Sequence, residues 1–110
     1  MWQQSGSPNY ITYADAEKYI RELNDKRFVG HNDWRLPTLE EAMSLMEPTK
    51  HDGWHLPPVF HPTQRWIWTA DKESSGVAWV VSFYEGHCFN VDAMIYSGAV
   101  RAMRVGQSII

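Results

Sequence analysis

One cysteine, Cys88, stands among the 110 residues. A single thiol excludes any intrachain disulfide, so packing alone must hold the fold. Basic runs are also missing. Ten Lys and Arg face thirteen Asp and Glu for a formal net charge of -3, which excludes the broad grip on phosphates that sequence-independent nucleic-acid binding requires. No apolar stretch approaches the roughly 20 residues that span a bilayer, and no leader precedes Trp2, so membrane insertion is not expected. Together with the lone thiol this leans toward the cytoplasm, with the cell surface as the alternative. Zinc-ligand spacing is missing too. His51 and His55 lie four apart, and His61 and His87-Cys88 follow, but Gly53 and the neighbouring prolines break the helix that a His-x-x-x-His pair needs. No metal and no other cofactor is expected. No nucleophile, base and orienting group can be identified together. Ser74-Ser75-Gly76 reads as a turn and Asp71, Glu73 and Glu85 as surface carboxylates, so no catalytic residue is expected and the chain reads as non-enzymatic.

Aromatic mass is plentiful: six Trp and five Tyr, within a chain that is 44% hydrophobic. Some of these residues must form a core, and the rest suit a recognition surface, where large rigid side chains lose little entropy on binding. The length fits one domain over residues 1–110. Internal repeats and low-complexity tracts are lacking.

A short first strand at Trp2-Gln3 leads through the turn Ser5-Gly6-Ser7-Pro8-Asn9 to Thr12, a helix cap with Asp15 at the third position. Ala16, Tyr19, Ile20 and Leu23 recur at helical spacing, predicting a helix over 13–24. Next comes Asn32-Asp33-Trp34-Arg35-Leu36-Pro37-Thr38-Leu39-Glu40-Glu41. Pro37 restricts Leu36 to extended backbone, and Thr38 with Glu41 forms a capping box, so extended Trp-Arg-Leu feeds a second helix over 39–46 that Pro48 stops. From Thr49 to Gln64 the chain is a loop rich in Pro and His, pinned by Trp54, Leu56, Val59 and Phe60. Strands are predicted at 66–70, 77–84, 87–91 and 99–105, with a turn at Glu85-Gly86. The 77–84 strand carries apolar groups on both faces and is therefore central. Trp34, Trp68 and Trp79 read as core, and Arg35, Arg101 and Arg104 as partners of carboxylates or carbonyls.

In the order Trp2-Gln3, helix, Asp33-Trp34-Arg35-Leu36-Pro37-Thr38, Trp66-Ile67-Trp68-Thr69-Ala70, Ala78-Trp79-Val80-Val81, Gly86, Val100-Arg101-Ala102-Met103-Arg104, the chain resembles DUF1566 (Lcl C-terminal) domains from end to end. Those domains share the C-type-lectin-like fold with formylglycine-generating enzymes. The resemblance implies an α+β fold of that type, with two helices packed on a twisted antiparallel sheet and long loops, and it implies fusion to a larger bacterial parent protein. The enzymes of this group hold copper with a pair of cysteines, which Cys88 alone cannot supply. Calcium-binding lectins use a Glu-Pro-Asn or Gln-Pro-Asp loop with a Trp-Asn-Asp strand, and Glu47-Pro48-Thr49 is a distant echo of that loop.

Domains of this type also serve as variable proteins of diversity-generating retroelements, where adenine-derived positions near the C-terminus are randomised on a fixed scaffold. The segment 82–99 resembles such a region: Ser82, Tyr84, His87, Phe89, Val91, Asp92, Ala93, Tyr96, Ser97, Gly98 and Ala99 are types reachable from Asn codons, whereas Glu85 and Met94 fit less easily. The expected ligand-binding residues are Ser82, Tyr84, Glu85, His87, Phe89, Val91, Asp92, Met94 and Tyr96, with a protein as ligand, because aromatic anchors fill pockets while polar groups complete hydrogen bonds. Against this stands strand alternation, which would turn half of them inward. Two other readings are a bacterial surface adhesin or trimerisation module, since DUF1566 domains cap trimeric surface proteins, and a remnant of a formylglycine-generating enzyme.

Overall fold

The computed structural model describes residues 2–3, 6–7, 9–47, 49, 54–56, 66–74 and 76–104. Thr12 starts the first helix: in extended backbone, its hydroxyl accepts the Asp15 amide at 3.3 Å, satisfying a donor that the helix start would otherwise strand. Helix α1 (Tyr13–Asp25) buries Tyr13, Ala16 and Leu23 and half-buries Tyr19 and Ile20, the stripe its periodicity predicts. It ends where Arg27 turns left-handed at φ 50°. The connection contains a short 3-10 turn, Phe28–Gly30, whose Phe28 carbonyl accepts the indole N–H of Trp34 at 2.9 Å.

Trp34 is gripped by its backbone as well. Asn24, near the end of α1, acts as a one-residue strand neighbour: its side-chain carbonyl accepts the Trp34 N–H at 2.7 Å, and its amide donates to the Trp34 carbonyl at 3.0 Å. Arg35 then exchanges both backbone hydrogen bonds with Met103, each at 2.9 Å. Thr38 caps α2 (Leu39–Met43) with the full capping box: the Glu41 amide donates to its hydroxyl at 3.1 Å, and its own amide donates to the Glu41 carboxylate at 2.8 Å. The same carboxylate takes both prongs of the Arg35 guanidinium at 2.7 and 2.8 Å. Continuation of this helix to Met46 is not found. The amides of Leu45 and Met46 bond three residues back, to Ala42 and Met43, a tightening typical of helix ends, and both side chains pack on the second core cluster.

Three strands, β1 (Trp66–Ser74), β2 (Val77–Ser82) and β3 (His87–Asp92), form an antiparallel sheet in the order β1-β2-β3. β2 is central, as its apolar faces require. One face sends Trp68, Ala78 and Val80 against Tyr13, Ala16, Leu36 and Val100. The other sends Ile67 and Val81 against Ala42, Leu56, Phe83 and Ala99. β1 runs past Ala70 because two register shifts, between Trp68 and Lys72 and between Lys72 and Ser74, keep it paired with β2. Trp34 and Trp68 are core, but Trp79 is only half-buried: its partner across to β3 is polar Asn90, so it lies beyond the second cluster. Leu56 is buried and Trp54 packs beside it, pinning the long loop; Val59 and Phe60 lie outside the described residues.

The last stretch is not a regular strand. Gly98, Ala99 and Met103 make isolated bridges to Ile11, Ile67, and both Trp2 and Arg35. Around them Ser7 and Val100 bond each other, the Ser7 amide to the Val100 carbonyl and the Val100 amide to the Ser7 hydroxyl. Gln3 meets Ala102 with its amide and with its side-chain carbonyl. Arg101 is fully buried there, donating to the Gln3 carbonyl at 3.2 Å; burial lowers its pKa to about 10, so it is charged at neutral pH. Arg104 forks onto Asp33 at 2.7 and 3.2 Å. All three arginines thus bond carboxylates or carbonyls. The described chain is α+β: two helices and a three-stranded open sheet.

Asn24→Ala should cost about 2 kcal/mol, because it strands the buried Trp34 backbone; a urea midpoint equal to the parent's would refute the clasp. Glu41 supplies a pH test. The Arg35 hydrogen bonds, against desolvation and helped by the Thr38 amide, hold its carboxyl at about 2 rather than 4.5. A lowered folded pKa means the stabilisation is complete above the unfolded value and disappears as pH falls from 4.5 through about 2. Glu41→Gln should be less stable than the parent at neutral pH by about 1 kcal/mol, the pair being part-exposed. The two melting curves should converge as pH falls through that window, and a gap independent of pH would count against this origin.

Candidate recognition surface

The hairpin between β2 and β3 is closed by its first residue. Ser82 is fully buried; its hydroxyl bonds the Glu85 carboxylate and accepts the Glu85 amide at 3.0 Å, while its carbonyl accepts the Gly86 amide at 2.9 Å. Gly86 has φ +82°, and a Cβ there would come within 2.9 Å of the His55 ring, so only glycine fits this turn. His55 is held in place: its amide donates to the Phe83 carbonyl at 2.7 Å, and Nδ1 lies 2.7 Å from the Glu47 carbonyl. A carbonyl only accepts, so Nδ1 carries the proton. Phe83 is buried in the second cluster. Tyr84 stands at the exposed tip, edge-on to Trp54 with ring centres 5.6 Å apart.

Along β3 the side chains divide by strand alternation. Phe89 and Val91 lean on the first cluster and are half-buried. Phe89 links a row of rings: its centre is 5.7 Å from that of Trp66, edge to face, and 5.6 Å from that of His87, while Tyr10 lies 6.0 Å beyond Trp66. The Trp66 indole N–H donates to the Ser97 carbonyl at 2.8 Å, fixing this row against the turn that follows β3.

That turn is built by Asp92. Its carboxylate accepts the Met94 amide at 2.9 Å, and its carbonyl accepts the Tyr96 amide at 3.0 Å. The Ala93 amide donates to Gly76 at 2.9 Å, tying the turn to the β1–β2 connection. Backbone and Asp92 do the holding, so the turn leaves its other side chains outside: Met94 is 84% exposed, Ile95 75% and Tyr96 50%. Three consecutive large apolar residues in water, beside Tyr10 and the Trp66–Phe89 pair, form the kind of surface that marks interaction sites.

Of the nine expected binding residues, Tyr84, His87, Asp92, Met94 and Tyr96 are exposed. Glu85, Phe89 and Val91 are half-buried, and Ser82 is inside, committed to the hairpin. Tyr84 sits at the hairpin tip; Met94 and Tyr96 belong to the later turn. Ile95, whose exposure beside Met94 and Tyr96 the sequence pattern leads one to expect, joins the surface; Tyr10 and Trp66 join the ring row without having been expected there. Ile95 is legible from the unbroken run Met94-Ile95-Tyr96, which no alternating strand would bury; Tyr10 and Trp66 lie outside the 82–99 segment in sequence and carry no such signal. His51 and His61 lie outside the described residues, and no cluster of three His, Cys, Asp or Glu side chains suited to a metal occurs among the described ones. No described helix is long and apolar enough to cross a membrane.

The model of the Lcl C-terminal domain matches residues 1–104. This chain belongs to that family. The match covers both helices, the whole sheet and the buried 98–103 stretch of this Lcl C-terminal domain. No curated protein matches it.

Met94→Ser and Ile95→Ser should each change stability by less than about 0.5 kcal/mol, the range for exposed sites. Phe89→Ser should cost about 2 kcal/mol, since it removes a half-buried ring from the row. Equal losses at all three in urea denaturation would show that the turn is core.

Proposed function

We propose that this Lcl C-terminal domain is a non-enzymatic recognition module on a C-type-lectin-like scaffold, and that it binds a protein through the segment 84–96. The observation that carries this is the run Met94-Ile95-Tyr96, held outward by a turn whose own bonds come from Asp92 and the backbone. Exposed apolar area of this kind, flanked by Tyr84, His87 and Asp92, matches the mixed aromatic and polar make-up of protein interfaces. The pairing of the 98–103 stretch with residues near the start of the chain, together with two helices and one open sheet, supports the lectin-like assignment.

The same separation between framework and display supports retroelement diversification as the origin of the surface. Ser82, Gly98 and Ala99, although reachable by codon, are buried, so a diversified set is expected at the exposed positions between them. The gene's surroundings test this: a near-repeat template with a reverse transcriptase beside it is expected, and the lack of both would end the idea.

The binding test uses the chain as bait. A triple substitution, M94S/I95S/Y96S, should abolish retention of protein partners that the parent retains, at least about tenfold, while leaving Tm within a few degrees. Retention unchanged by the triple substitution would refute the assignment of the surface. A stable trimer by light scattering, lost in the same variant, would reassign it to self-assembly.

A further inference from the structure

Within the exposed run Met94-Ile95-Tyr96, Met94 alone carries a thioether, and the fold gives that sulfur unusual access. Of the five methionines, Met1 lies outside the described residues and the other four are placed very differently. Met103 is 8% exposed, bridged to Trp2 and Arg35. Met43 and Met46 are half-buried on the second cluster, where half-buried Cys88, the one thiol, also packs. Met94 is 84% exposed. Its turn is held through backbone, the Met94 amide donating to the Asp92 carboxylate at 2.9 Å and the Tyr96 amide to the Asp92 carbonyl at 3.0 Å. A change at the Met94 sulfur therefore leaves these bonds in place, whereas the same change at Met43, Met46 or Met103 falls on side chains packed in the body of the domain.

A thioether open to water reacts with peroxides. A sulfur lone pair attacks one peroxide oxygen, the S–O bond forms as the O–O bond breaks, and the departing oxygen takes the proton left on the attacked one and leaves as water. Sulfur is oxidised by two electrons and the peroxide is reduced by the same two. Sulfoxide reductases reverse the change, oxidising two thiols to a disulfide and releasing the oxygen as water. The product is polar where the thioether was apolar. A contact that buries Met94 would then bury a sulfoxide oxygen without a donor, which interfaces tolerate poorly.

We propose that Met94 is a reversible oxidation site: a peroxide converts its thioether to the sulfoxide and so switches the recognition surface off, while the fold is untouched. The inference rests on the reading that the segment 84–96 binds a protein. Exposure confines the first oxidation to the display, and burial guards the framework.

The test treats the whole chain with limiting hydrogen peroxide and maps the added oxygen by mass spectrometry, with Cys88 alkylated before digestion so that its oxidation is scored separately. Met94 should gain oxygen at least about tenfold faster than Met103 and ahead of Met43 and Met46. The singly oxidised chain should leave a phenyl column earlier than the parent with Tm unchanged, and should lose at least about tenfold of its retention of the proteins the parent retains. Methionine sulfoxide reductase with a dithiol should restore both. The variant M43L/M46L should respond to peroxide as the parent does, and M94L, compared with itself before and after treatment, should not respond. Similar oxidation rates at all four methionines, or a fall in Tm that tracks oxygen on Met43 or Met46, would overturn the switch. Retention that survives oxidation of Met94 but is lost in M94S/I95S/Y96S would overturn the switch and leave the recognition surface standing. Retention indifferent to both would remove the surface, and the switch with it.

Discussion

The structure depends on burying residues 98–103 in full while giving each of several separate segments a hydrogen bond to them. Every residue from Gly98 to Met103 is buried. Buried backbone without a partner costs on the order of 1–3 kcal/mol per group, so this stretch is possible only because Gln3, Ser7, Ile11, Arg35, Trp66 and Trp68 each come to it. Gly98 shows how tight the fit is: a Cβ there would lie 3.0 Å from the Trp68 indole. With no disulfide available, this crossing of chain segments takes the place of a covalent tie.

From that constraint follows the division between framework and display. The segment between β2 and Gly98 enters and leaves through anchored points, Ser82 at one end and the Trp66–Ser97 bond at the other. Between them the backbone satisfies itself, through the β2–β3 ladder and through Asp92. Side chains there are free of framework duties wherever alternation or the turn points them outward. Phe89 and Val91 are half-buried and pack on the first core cluster, which is why that cluster is continuous with the exposed segment.

What was legible in the sequence was local. The Thr12 and Thr38 caps, the Pro37-restricted approach to α2, the stripe on α1 and the two-faced apolar pattern of β2 are each written within a few residues, and each is present. The role of 98–103 was not legible: its partners are scattered from Gln3 to Trp68, and a short run of Ala, Val and Met reads as an ordinary strand. Asn24 as a clasp on Trp34 is equally silent, since an Asn near a helix end looks like a simple stop. At the site, the exposed turn was visible as an apolar run, but Ser82 was misplaced because a small polar residue at a strand end gives no sign that it faces inward. Tyr10 and Trp66 could not be found from the hairpin's own sequence.

Native-state hydrogen exchange tests this division most directly. Protection at the Gly98, Ala99, Val100, Ala102 and Met103 amides should equal the global unfolding free energy, while the Met94 and Ile95 amides should exchange through local opening, at least about a hundredfold faster. Equal protection in the two groups, or early local opening of the 98–103 stretch, would contradict the account.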